Sequence, residues 1–144
     1  MKKGRRNFLM AAGAGAAAAA PAMAATGKVK APGGYKIGNM YYSSGLTGVR
    51  PEARKDPLAF GGDIKEQTHT IMKMHKENLE KMGSSLDNVV KVTAFLADVK
   101  TQKAAFNQAY AEYFTKDAPA RTALGAIFPD TQTLVEIEVV AWVP

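Results

Sequence analysis

Cysteine is absent from all 144 residues. That excludes a disulfide, a thiolate nucleophile and a zinc–thiolate site. Histidine is nearly absent: His69 and His75 are the only two, six apart in a segment that reads as helix. Six residues on a helix fall on opposite sides, so no shared metal and no metal site is expected. Acidic residues are missing before Glu52, whereas Lys2, Lys3, Arg5 and Arg6 crowd the start. The formal charge of +6 therefore overstates the body of the chain. Without residues 1–24 there are 15 basic and 13 acidic residues. No basic patch remains to argue for a nucleic-acid partner. A long apolar run is missing as well. Phe8–Ala20 is rich in Ala and Gly and too short to span a bilayer stably.

What residues 1–24 do contain is the pattern of an export signal. Lys2–Arg6 is a positive n-region, Phe8–Ala20 a mildly apolar h-region, and Ala22-Met23-Ala24 a small-x-small cleavage site. Gly4-Arg5-Arg6-Asn7-Phe8-Leu9-Met10 is similar to the twin-arginine motif, departing from it at Gly4 and Met10. The expectation is an exported, periplasmic protein that begins at Ala25 and leaves the membrane after cleavage. Residues 25–144 are then a single domain. With no disulfide available, it must hold together by packing and by association.

Along that domain, residues 26–33 read as a loose lead-in. Gly38-Asn39 is a two-residue hairpin turn between strands near Tyr35–Ile37 and Met40–Ser44. Residues 46–62 read as one long loop, carrying Arg50, Arg54 and Lys55. Asp63 with Glu66 forms a capping box for a helix reaching about Met82. Ile64, Thr68, Ile71, His75, Leu79 and Met82 make its apolar stripe, and Gly83 its stop. A strand follows over 89–97. Asp98 caps a second helix placed at about Lys103–Phe114, with Phe106, Ala109, Tyr110, Tyr113 and Phe114 on one face. Strands at 121–128 and 134–143 close the chain. The order is ββαβαββ, an α+β fold with one mixed sheet and two helices on one face.

The last two strands carry the chemistry. Val135, Ile137, Val139, Ala141 and Val143 form an unbroken apolar face, with Glu136, Glu138, Val140 and Trp142 on the other. Arg121 opens an otherwise apolar strand. A guanidinium there can grip a carboxylate bidentately, and a nearby Glu can handle a proton or orient water. Charges on an edge strand can equally serve only to keep that edge soluble. The uncovered sheet face argues for a subunit interface.

Gly38-Asn39-Met40, Ser44-Gly45, Gln67, Asn78-Leu79, Gly83, Val89-Val90-Lys91-Val92-Thr93, Phe106-Asn107, Tyr110–Phe114, Pro119-Ala120-Arg121 and Val135-Glu136-Ile137-Glu138 together resemble the reactive intermediate deaminase family. These Rid or YjgF-like proteins are matched from about Gly34 to Val143. The resemblance implies a chorismate-mutase-like fold assembled as a homotrimer with clefts between subunits. It implies hydrolysis of reactive 2-imino or enamino acids to 2-keto acids and ammonia, with no metal or organic cofactor. By the same resemblance Arg121 binds the substrate carboxylate and Glu136 positions the attacking water. Ser44 and Gly45 complete the pocket, and Tyr35 stands where an aromatic residue often covers it. The chain departs from the family in a longer 46–62 loop, a shortened N-terminal segment and two features of the closing strands. Ala123 replaces a common Cys, and the step from Arg121 to Pro129 is one residue short, recovered before Glu136. A one-residue slip in a strand would reverse its facing. A trimer that only binds small carboxylates, or a protein-interaction module of the same fold, remains an alternative.

Overall fold

The computed structural model describes residues 27–48 and 61–144. The export signal of residues 1–24, and Arg50, Arg54 and Lys55, lie outside the described residues. Seven strands form one sheet: β1 (Val29–Ala31), β2 (Gly34–Ile37), β3 (Met40–Ser43), β4 (Leu46–Thr47), β5 (Val89–Leu96), β6 (Ala120–Gly125) and β7 (Val135–Trp142). Two helices, α1 (Ile64–Glu80) and α2 (Val99–Ala111), complete it. The order across the sheet is β1-β2-β3-β7-β5-β6, with β4 also on β7. β5 and β6 are parallel, and every other pairing is antiparallel. This is the α+β fold with a mixed sheet and two helices on one face.

The lead-in is not loose: β1 pairs with β2 across Pro32-Gly33. Pro sets φ at the first turn position and Gly33 supplies φ +65° at the second, the type II requirement. In the next turn only Gly38 has positive φ, +56°, so the hairpin follows the II′ pattern rather than using Asn39 as well. The reading of 46–62 as loop is corrected at its start. Leu46 and Thr47 extend the ladder on β7, opposite Ile137 and Glu136. Between β3 and β4 the register slips by one residue, a bulge at Ser43–Gly45. Ser43 Oγ fills the interrupted ladder by accepting from Val139 N at 2.8 Å.

The Asp63 capping box forms as read: Asp63 Oδ1 accepts from Lys65 N and Glu66 N, and Glu66 Oε2 from Asp63 N. α2 begins directly after Asp98, four residues before the sequence reading placed it, because Asp98 Oδ1 accepts from Lys100 N and Thr101 N. Both helices lie on the side of the sheet that holds Val92, Ala94, Leu96, Val135, Ile137, Val139 and Ala141, all buried. His75 is in that core, with its ring Nε2 2.9 Å from Ile137 O. Gln67, also fully buried, was not on the sequence stripe. Its amide donates to Gly62 O and Gln132 O and accepts from Leu134 N, so it ties the start of α1 to the entry of β7.

The other face of the sheet carries no helix. Register places Ile37, Met40 and Trp142 side by side there, with Tyr35, Tyr42 and Val140 in the next row. Ile37, Tyr35, Tyr42 and Trp142 are all exposed. No helix among the described residues is long and apolar enough to cross a membrane.

Candidate active site

Arg121 and Glu136 reach opposite sides of the sheet. Arg121 pairs with Val92 in the parallel β5–β6 ladder. Paired residues face the same way, and Val92 is buried under the helices. The Arg121 guanidinium accordingly lies 4.6 Å from the ring centroid of Tyr110 and 5.3 Å from that of Phe106, both on α2. These are cation–π distances, so the guanidinium lies over aromatic rings of α2. Among the described residues no carboxylate pairs with it. It lines a cavity of about 300 Å³ with Asn107, Tyr110, Ala111, Phe114, Ala118 and Pro119. β6 is the last strand of the sheet, so this cavity opens along a free edge.

The shorter step from Arg121 to Pro129 does not disturb the strand. β5 and β6 stay in register from Lys91↔Ala120 to Leu96↔Gly125. β6 ends at Gly125, sooner than the reading of 121–128, and the irregular residues 126–134 absorb the change. Ala123 follows Arg121 on the helix side and packs against the core.

Glu136 sits on the uncovered face, half-buried, opposite Phe95 on β5 and Thr47 on β4. Its carboxylate lies directly against Gly45. A Cβ there would overlap Glu136 Oε1 and approach Cδ to 2.7 Å and Cγ to 3.0 Å. Glycine at 45 is thus a spatial requirement of the Glu136 conformation. Ser44 is exposed beside it, its N–H donating to Gly33 O at 2.8 Å. The structure therefore brings Glu136, Gly45 and Ser44 together at the bulge. Tyr35 shares the open face but pairs with Tyr42, which pairs with Val140. It lies two strands and four positions from Glu136, and Lys28 Nζ stands 4.4 Å over its ring. Arg121 and Glu136 are likewise two strands and three positions apart, roughly 14 Å along the sheet by strand spacing.

Two contributors escaped the sequence reading. Tyr110 is read from sequence only as part of one helix face, yet its hydroxyl is buried without a hydrogen-bond partner among the described residues, as is Asn107 Oδ1. Burial raises the Tyr110 hydroxyl pKa to about 12, against the pull of Arg121, so it stays protonated at neutral pH. Ser43 was read only as a strand end. The signal for it was the sequence Ser43-Ser44-Gly45, small residues that tolerate a bulge.

A sequence model described as Endoribonuclease L-PSP matches residues 19–143. The chain is 37% identical over 107 residues to a RutC family protein of Pyrococcus abyssi, covering 74% of this chain and 81% of that one. It is 32% identical over 106 residues to the chloroplastic Reactive Intermediate Deaminase A of Arabidopsis thaliana, covering 74% and 54%. The crystal structure of yeast Mmf1 superposes with a TM-score of 0.68 at 34% identity, over 78% of this chain and 86% of that one. RidA from an Antarctic Psychrobacter gives 0.67 at 29% identity, over 75% and 84%.

Proposed function

The chain belongs to the Endoribonuclease L-PSP family, the Rid or YjgF-like proteins, and from that premise we propose that it hydrolyses reactive 2-imino or enamino acids to 2-keto acids and ammonia. The observation that carries the reading is Arg121: a guanidinium on a free sheet edge, without a carboxylate partner among the described residues, lining a small cavity. Such a group binds a substrate carboxylate through charge-assisted hydrogen bonds worth about 1.5–3 kcal/mol each. An imine carbon is already electrophilic, so the remaining task is to orient water. A fixed carboxylate does this at roughly 10²–10⁴-fold in rate, the role assigned to Glu136.

One subunit cannot bring the two together, since they face opposite sides of its sheet. A cleft holding both needs a second copy, with the Arg121 edge of one subunit laid across the Glu136 face of its neighbour. The exposed apolar rows of that face and the open edge of β6 both support such packing, and a closed homotrimer is the assembly proposed. Export to the periplasm, with Ala25 as the mature N-terminus, is part of the same proposal and rests on the pattern of residues 1–24.

The test uses purified residues 25–144. Imino acids are generated in situ by an amino acid oxidase, and keto-acid formation is followed for the natural chain, Arg121→Ala and Glu136→Gln. Acceleration abolished by either substitution is the expected result. The opposite facing of the two residues favours one alternative, a trimer that captures small carboxylates without turnover. Retained ligand binding with no acceleration in any protein would establish that alternative. Despite the family description, RNA cleavage is not expected. Without residues 1–24 the chain has only 15 basic residues against 13 acidic ones, and His75 is buried in the core, while His69 on α1 lies against Tyr113 and Glu112 at the end of α2.

A further inference from the structure

Two buried polar side chains of α1 reach the backbone of β7 and its entry, and they bracket Glu136. Gln67 Oε1 accepts from Leu134 N at 3.0 Å. His75 Nε2 lies 2.9 Å from Ile137 O; a carbonyl only accepts, so Nε2 carries the ring proton and donates. Both side chains lie in the core, His75 at 0% and Gln67 at 1% exposure. Their separation along the helix is a rise of about 12 Å. Leu134 to Ile137 spans about 10 Å of extended chain. The two lengths match, so one helix holds both ends of the short segment that contains Glu136. The other ring nitrogen of His75, Nδ1, is buried with no hydrogen-bond partner among the described residues. Such an atom costs about 1–3 kcal/mol, which an apolar side chain of similar size would not carry. What the imidazole adds over that apolar residue is the Nε2–H. Burial keeps the ring neutral at neutral pH.

Resting on the assignment of Glu136 as the group that positions water, we propose that His75 is a positioning residue for that carboxylate: its bond to Ile137 O, with the Gln67 bond to Leu134 N, fixes the stretch of β7 from which Glu136 projects. The carboxylate is closely seated on the other face of the sheet. Its Oε1 lies against Gly45, so near that a Cβ there would overlap it. Val139 N is tied to Ser43 Oγ at 2.8 Å across the same bulge. The bulge sets where the carboxylate rests, and His75 sets where the backbone beneath it runs. Arg121 projects from β6, two strands from β7, so carboxylate anchoring does not depend on the His75 bond.

Two substitutions of equal reach separate the donor from the packing. His75→Gln places an amide N–H as many bonds from Cα as Nε2, and His75→Met places a methyl group there. At neutral pH, His75→Met is expected to lower kcat for imine hydrolysis by about tenfold or more with KM within about twofold, because a small misplacement of a reacting group is read in kcat. His75→Gln is expected to recover most of that loss. The carboxyl-carbon NMR shift of Glu136 reads the same displacement without turnover, moved in His75→Met and restored in His75→Gln. Equal loss in both variants would reduce His75 to packing and overturn the proposal. The ring-nitrogen shifts of His75 in the natural chain test it without any variant, and a proton on Nδ1 overturns it. Hydrolysis abolished by Glu136→Gln but unchanged in a well-folded His75→Met overturns the role of His75 alone. A Glu136 shift that moves and returns as expected, in a chain that hydrolyses no imine, overturns the deaminase reading alone.

Discussion

Replacing Gly45 with alanine should separate catalysis from folding. The new Cβ would sit 3.0 Å from Glu136 Cγ and 2.7 Å from Cδ, and would overlap Oε1. Carbon atoms at rest keep about 3.5–4.0 Å, so the carboxylate must retreat by about 1 Å. The backbone does not resist, because Gly45 is not among the described glycines with positive φ. The folding cost is that of one glutamate pushed off its rotamer, about 0.5–1.5 kcal/mol. The catalytic cost is larger: a 1 Å misplacement of a reacting group can remove about 10²-fold in rate. Imine hydrolysis by Gly45→Ala should therefore fall close to that of Glu136→Gln, with the melting temperature lowered by only a few degrees. Combining the two substitutions should cost little beyond Glu136→Gln alone, since both act on one carboxylate. Full activity in a well-folded Gly45→Ala protein would refute the assignment of Glu136 as the group that positions water.

Burial lowers the His75 pKa to about 4 from an ordinary 6.5, so the folded state binds fewer protons than the unfolded one between those values. Stability is then full above about pH 6.5 and declines by about 3 kcal/mol as pH falls to 4. Urea midpoints across that range should show the loss, and His75→Gln should flatten it. Asp98 and Asp130, whose pKa values are lowered chiefly by hydrogen bonds from Thr101 and Thr133, titrate below this window. Gln67→Ala removes three hydrogen bonds from a fully buried amide and should cost roughly 2–4 kcal/mol, read as a drop in urea midpoint at constant slope. Mass spectrometry of the protein from its native host is expected to find Ala25 at the N-terminus. Sedimentation should give three copies, and a stable monomer would remove the proposed cleft.

The parts of the fold legible in sequence were those governed by local rules. Asp63 with Glu66 and Asp98 announce helix starts through their own side-chain bonds, and β7 announces itself because one face is buried and the other is not. β1, three residues with Lys30 at the centre, was hidden among the Gly, Lys and Pro of residues 26–33, although Pro32-Gly33 was a turn signal. β4 has two residues and exists only through pairing with β7, a long-range contact that no local pattern encodes. The site divides the same way. Arg121 and Glu136 stand out by residue type and by family resemblance. Their opposite facing depends on the parallel register of β5 with β6, which alternation within either strand does not determine. Tyr110 and Asn107 did not stand out, because an aromatic and an amide on a helix face look like packing. Only the missing partners of their polar atoms set them apart.

Gly61 N donates to Gly48 O at 3.1 Å, joining the end of β4 to the lead-in of α1. Gln67 packs beneath Gly48 and holds Gly62 O, so both ends are fastened to α1 independently of what joins them. Gln67 therefore acts as a clasp: β4, the start of α1 and the entry of β7 hold or loosen as one unit.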